Sequence, residues 1–277
     1  MNNARKWTLL TTYVVAIVVV FLYLLFPSET VKTYIGYRMS GISPEVGFDI
    51  DQVRLGIPPG LSLQDLDLHY QGKSAVRFDR MELVPAYLSL FTSDPTVKFT
   101  GLLAGGGIKG WTGISESGPM HAQLILDAVQ LDQLPVLRTF LPIAIGGAAS
   151  GELHYDAKGV SQATLKIADC RIAIDPPMMG IKELTFTRME ADAEMNGQEI
   201  GIKRVEFNGP QGSGTGSGTL LLRQPMETSR INLTGTIKPH PSMIQSVGAL
   251  LPKQYLKDGG IPVQITGTLK QPNFSIR

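Results

Sequence analysis

Apolar residues fall on every second position through most of this chain. Residues 46–55 (VGFDIDQVRL) and 61–70 (LSLQDLDLHY) show it first. The stretches AVRFDRMEL, TVKFTGLL, MHAQLILDAVQL, GELHYD, ATLKIADCRIAI, ELTFTRMEA, VEFNG, SRINLTGTIK and VQITGTLK continue it. A repeat of two sends successive side chains to opposite faces, so each stretch predicts a strand with one wet and one dry side. Turn signals separate the stretches: Pro58-Pro59-Gly60, Gly72, Gly118-Pro119, Asp175-Pro176-Pro177, Asn196-Gly197 and Gly209-Pro210. Asn196-Gly197 between two alternating runs is a strong hairpin signal. The pattern predicts a long antiparallel meander. Helix candidates are few and short, at residues 30–38, 87–91, 131–140 and 242–250. Residues 211–218 read QGSGTGSG between two strand-like runs. A glycine-rich turn or strand edge is preferred there to a flexible linker.

One stretch breaks the alternation. Residues 7–26, WTLLTTYVVAIVVVFLYLLF, contain no charge. As a helix rising about 1.5 Å per residue they span about 30 Å, the thickness of a bilayer core. Arg5 and Lys6 precede the run, and Trp7 and Tyr23 lie near its ends. A cleaved signal peptide would have a shorter apolar core and a small-residue cleavage site, and Phe26-Pro27-Ser28-Glu29 supplies neither. The expectation is an uncleaved transmembrane helix at 7–26. Residues 1–6 are then cytoplasmic by the positive-inside rule, and 27–277 form a β-rich domain on the far side.

Charge and reactive residues exclude several functions. Lys and Arg number 25 against 24 Asp and Glu, a net charge of +1, so nucleic acid is not an expected partner. The lone Cys170 cannot form an internal disulfide, and its alternating surroundings predict a packed strand residue. The four histidines, His69, His121, His154 and His240, are isolated, with no metal-ligand spacing. Gly-Ser-Gly at 212–214 and 216–218 lacks the strand-to-helix setting of a nucleophile elbow. Gly105-Gly106-Gly107 lacks the Lys-Ser/Thr ending of a phosphate loop. Asp49, Asp51, Asp65 and Asp67 fit the solvated face of two strands. No catalytic residue, metal site or cofactor is expected, and the chain reads as a non-enzyme.

Two stretches echo each other. Leu141-Pro142, Gly146-Gly147 and Gly151-Glu152-Leu153 recur in order as Leu251-Pro252, Gly259-Gly260 and Gly267-Thr268-Leu269. A weak repeat of a strand–helix–strand unit over 119–157 and 229–272 is the expectation. The dry faces must be hidden by sheet packing or barrel closure, or they form a groove. Positions that would line a groove are Val53, Leu55, Leu61, Leu63, Leu66, Leu68, Leu124, Leu126, Leu165, Ile167, Ile172 and Ile174. Each is also compatible with plain core.

Five segments stand out in order: the anchor-like run, Pro58-Pro59-Gly60-Leu61-Ser62-Leu63, Met81-Glu82-Leu83-Val84-Pro85 leading into Leu88-Ser89-Leu90-Phe91, Val97-Lys98-Phe99-Thr100-Gly101 leading into Gly106-Gly107-Ile108-Lys109-Gly110, and the closing Gly267-Thr268-Leu269-Lys270-Gln271-Pro272-Asn273-Phe274. Together they resemble protein N of the bacterial type II secretion system and, more remotely, the AsmA-like envelope proteins. The resemblance implies a mainly β fold, in which a transmembrane helix precedes an elongated, curved antiparallel β-sheet or groove with a few short helices. It implies a non-enzymatic, single-pass inner-membrane protein with most of its chain in the periplasm. Its partners would be the inner membrane and other secretion-system envelope components. The AsmA-like alternative is a lipid-binding or lipid-transfer module holding phospholipid acyl chains in the groove.

Overall fold

A computed structural model describes residues 3–40, 46–92, 94–115, 118–140, 143–178, 181–241, 243–244 and 260–276. Two helices, α1 (Asn3–Leu24) and α2 (Ser28–Ser40), precede the sheet. The strands are β1 (Val46–Gly56), β2 (Gly60–Tyr70), β3 (Lys73–Pro85), β4 (Thr96–Leu103), β5 (Gly106–Ser115), β6 (Gly118–Gln130), β7 (Ile145–Asp156), β8 (Ser161–Met178), β9 (Ile181–Asn196), β10 (Glu199–Asn208), β11 (Gly212–Leu221), β12 (Arg230–Pro239), β13 (Ile261–Thr268) and β14 (Pro272–Ile276). Short 3-10 turns stand at Tyr87–Phe91, Leu131–Gln133 and Met226–Thr228, and α3 (Pro135–Phe140) links β6 to β7.

All fourteen described strands form one antiparallel sheet in sequence order, each paired with its chain neighbours. The sheet is open, with β1 and β14 as its ends. The antiparallel meander therefore holds, while an open sheet replaces the expected curved groove. The 211–218 segment is neither turn, edge nor linker. It lies in β11, paired to β10 on one side and β12 on the other. The 3-10 turn at 87–91 and α2 occupy two of the expected helix positions. The candidate at 131–140 divides into a 3-10 turn and α3, and most of the candidate at 242–250 lies outside the described residues.

The membrane expectation is corrected. Helix α1 does form over most of residues 7–26. Among the described residues, however, no helix is long and apolar enough to cross a membrane. The end of the apolar run is engaged by the sheet instead. Tyr23 O–H donates to the Gly56 carbonyl at the end of β1, and Phe26 packs on the apolar cluster of β1–β6. A transmembrane segment at 7–26, single-pass inner-membrane localisation and an inner-membrane-anchored role in secretion are therefore unsupported. The partners inferred from that placement, membrane phospholipid included, lose their basis as well.

Three left-handed residues re-phase the alternation, two of them at β-bulges. Asp65, Ala128 and Asp169 adopt left-handed φ values of 49°, 52° and 49°. Each sits between two apolar residues three positions apart that are both inward: Leu63 and Leu66, Leu126 and Val129, Ile167 and Cys170. At Ala128 and Asp169 an extra residue lets the chain skip one position and keep its apolar side chains on one face. At Asp65 both pairings keep their register, and the neighbouring strands take the same three-residue step, Ile50 to Val53 and Phe78 to Met81. The pairings β10–β11 and β9–β10 also shift register, near Ile202.

Aromatic rings lie over cross-strand glycines at two places. Phe99 pairs with Gly110, and a Cβ on Gly110 would stand 2.7 Å from the ring and 2.0 Å from the Gln123 carbonyl oxygen. Phe207 pairs with Gly214, where a Cβ would stand 2.3 Å from the ring and 2.6 Å from the Thr236 carbonyl oxygen. The glycine removes the side chain that would lift the ring off the sheet. Gly214→Ala is expected to lower stability by about 1–3 kcal/mol through overpacking. Gly201→Ala, whose Cβ would meet only the Glu194 carbonyl at 3.8 Å, is expected to leave the urea midpoint nearly unchanged. Equilibrium urea unfolding of both variants checks the contrast.

Candidate binding face

Cross-strand register assigns every strand one polar and one apolar side. The polar side carries a ladder of ion pairs. Arg77 meets Asp65 at 2.9 Å, Arg80 meets Glu82 at 2.7 Å, Lys203 meets Glu194 at 2.9 Å, and Arg204 meets Asp192 at 2.9 Å and Glu206 at 3.2 Å. These exposed pairs each contribute little to stability, but they keep this side solvated.

A polar chain crosses β5, β6 and β7. Trp111 Nε1–H donates to Gln123 Oε1 at 2.8 Å, and the Gln123 amide donates to Glu152, which also lies 2.7 Å from His154 Nε2. The Gln123 hydrogen bond, with His154 beside it, holds the Glu152 carboxyl below the usual range. Arg188 does the same for Glu190, and Lys166 adds to it from 3.7 Å. His69 Nε2 is 3.2 Å from Asp49 Oδ2 without hydrogen-bond alignment, and 3.8 Å from Asp67 Oδ2. The four early aspartates do share one solvated area, where Asp65 binds Arg77 and Asp67 accepts from Ser74 O–H at 2.6 Å. Among the described residues no group of three His, Cys, Asp or Glu side chains could hold a metal. A shallow, open depression of about 480 Å³ over β9–β12 mixes polar groups such as Arg188, Glu190, Asn208, Thr215 and Lys238 with the Phe207 ring.

The apolar side divides into a closely packed part and a part whose side chains are only partly buried and which no described helix covers. Across β1–β6, Ile50, Val53, Leu63, Leu66, Phe78, Leu103, Ile108 and Val129 form one buried cluster. Phe26, together with Val31 and Ile35 of α2, packs on it, as does Leu134 ahead of α3. A second cluster of Ala149, Ile167, Cys170 and Phe186 spans β7–β9 and receives Leu131 and Phe207. The Phe186 and Phe207 rings meet edge to face at 4.9 Å between centroids. Burial raises the pKa of the Cys170 thiol.

Past β9 the pattern changes. Ile200, Ile202, Leu220, Ile231, Leu233, Ile237, Val263 and Ile265 share the apolar side of β10–β13 by register, and all are half-buried. Ile261 is the one buried apolar residue in these strands among the described residues. Gly212, Gly214, Gly216 and Gly218 run down the middle of this area on β11, so it has low relief. The whole molecule exposes 17547 Å², against about 12,000 Å² for a compact monomer of its mass.

The twelve groove candidates fall mainly on the covered part. Val53, Leu63, Leu66 and Ile167 are buried. Leu61, Leu68, Leu124 and Leu126 pack against the first cluster, and Leu165 and Ile172 against the second. Leu55 is half-buried opposite Leu61. The Ile174 side chain lies outside the described residues. Sequence reasoning names none of the bare residues on β10–β13, although VEFNG, SRINLTGTIK and VQITGTLK carry the same alternation.

Glu152 and Glu190 have folded-state pKa values below their unfolded ones. The stability they bring is present above the unfolded glutamate pKa of about 4.3 and is lost as pH falls through the lowered folded values. Gln123→Ala and Arg188→Ala are each expected to raise the pKa of the neighbouring carboxyl and to flatten the acid dependence of the urea midpoint. Carboxyl-carbon NMR titration of Glu152 and Glu190 reads the first effect directly. The chain matches no family model, no curated protein and no solved structure.

Proposed function

We propose that this chain is a non-enzymatic binding scaffold whose apolar side over β10–β13 receives an apolar face of another protein. The contrast between the two halves of one continuous sheet supports this reading. Helix α2, Phe26 and Leu134 cover the first half down to buried residues, while the second leaves its Ile, Leu and Val side chains only partly buried. Exposed apolar area of this kind gains free energy when covered, at about 25 cal/mol per Å² before the costs of association. The low relief imposed by the β11 glycines favours a flat protein layer over a ligand that needs a pocket.

The absence of chemistry in this reading rests on the polar side. Several of its charged groups pair with one another, across strands at Arg77–Asp65, Lys203–Glu194 and Arg204–Asp192 and within β3 at Arg80–Glu82, with no nucleophile–base pair among these described pairs. We also propose common ancestry with the type II secretion protein N family, supported by the segments at 58–63, 81–91, 97–110 and 267–274. That proposal concerns descent of the fold.

Cysteine accessibility tests the bare face. Leu233→Cys and Ile265→Cys are expected to react with a thiol reagent in the native protein at least about tenfold faster than Leu63→Cys, a position at 3% exposure. Native Cys170, at 1%, serves as the protected standard. Equal protection of the thiols introduced at positions 233, 265 and 63 would show the face already covered within the chain and would sink the proposal.

A further inference from the structure

The two ends of the sheet are treated in opposite ways. At β1, Lys32 Nζ of α2 donates to the Asp51 carbonyl at 3.3 Å, and Tyr23 O–H donates to the Gly56 carbonyl. Helix α2 packs along β1, and Asp49, Asp51 and Arg54 place charges on it. Cover, charge and side-chain hydrogen bonds are the usual protections against edge-to-edge pairing. At β14 these protections are missing among the described residues. Pro272 stands at its first position, but Asn273, Phe274, Ser275 and Ile276 carry no charge. Phe274 and Ile276 are 53% and 46% exposed. No described strand or helix pairs with the outer side of β14.

We propose that the β14 edge pairs with the β14 edge of a second copy of this chain, antiparallel about a two-fold axis perpendicular to the sheet. A head-to-tail arrangement needs β1 as acceptor, and α2 lies along that strand. The isologous arrangement needs only the uncovered edge. Directly opposed residues in an antiparallel pair lie on the same face, so the register must match apolar with apolar. The register that uses all five residues sets Phe274 opposite its own copy, Pro272 opposite Ile276 and Asn273 opposite Ser275. No like charges meet in it, and each sheet continues the other with its apolar side on the same face. Two five-residue strands bury far less than the roughly 1,200–2,000 Å² of a stable interface. The dimer is therefore weak and concentration-dependent.

Sedimentation equilibrium of the full chain tests it, with the monomer at 30.0 kDa. The expected result is reversible self-association toward twice that mass as concentration rises. Asn273→Lys with Ser275→Lys should weaken it at least about tenfold, a loss of about 1.4 kcal/mol, because the lysines bring like charges across the new pair. Phe274→Cys should give a covalent dimer under mild oxidation, since opposed Cα atoms in a ladder lie within disulfide reach. Ile57→Cys, at a position 88% exposed in the turn between β1 and β2, should not cross-link under the same conditions. Monomer at every concentration, with no cross-link from the Phe274→Cys variant, would overturn the proposal. So would a dimer that ignores the edge lysines but is lost on Val14→Lys with Val18→Lys, since it would then be held by α1. Failure of the edge pairing leaves the thiol accessibility expected at positions 233 and 265 unaffected, so the two proposals fail separately.

Discussion

Each strand finds its backbone partners only in the strand before it and the strand after it. This neighbour-only hydrogen bonding determines what else the chain must solve. It satisfies N–H and C=O groups from strand to strand along the whole sheet, and it leaves two open edges. It also builds a single layer, so one side of the sheet must either find cover or stay bare. Helix α2 with the end of α1, and the 3-10 turn with α3, are local answers for β1–β6 and the start of β7.

The apolar side is kept continuous by backbone devices. Asp65, Ala128 and Asp169 each absorb one residue in a left-handed conformation, and the alternation resumes in phase. Without them, every side chain beyond that point in the strand would change face. Glycines opposite Phe99 and Phe207 let the rings lie down on the sheet. The same choice runs through β11, where four alternating glycines face the apolar side and Ser213, Thr215 and Ser217 face water. Burial of Val129 and Cys170 to 1% shows how closely the resulting clusters pack.

Much of this is legible in the sequence because a half-buried strand writes its geometry in every second letter. The meander, the hairpin near Asn196-Gly197 and the strand position of Cys170 all follow from that. The bulges leave a trace as well, in apolar residues three apart with Asp or Ala between them. Strand β11 escapes this reading because glycine removes the apolar letters by which a strand is recognised. Its inward positions carry no side chain, while its Ser and Thr resemble linker composition. The apolar run at 7–26 misleads for a different reason. Counting apolar residues takes no account of Tyr23 and Phe26 being engaged by β1 and the cluster above it. The bare area on β10–β13 cannot be separated from the covered one by pattern, since alternation reports which side is apolar and not what lies over it.

The order of the strands also bears on how such a chain can change length over evolution. In a sheet with crossovers, inserting a strand displaces partners that are distant in sequence. Here a hairpin gained or lost between two turns disturbs only the junction where it enters, because every other pairing is between chain neighbours. Right-handed twist would carry the added strands along the same path. The fourteen-strand ladder is thus extensible by whole hairpins, with the length of the sheet as the trait that selection can tune.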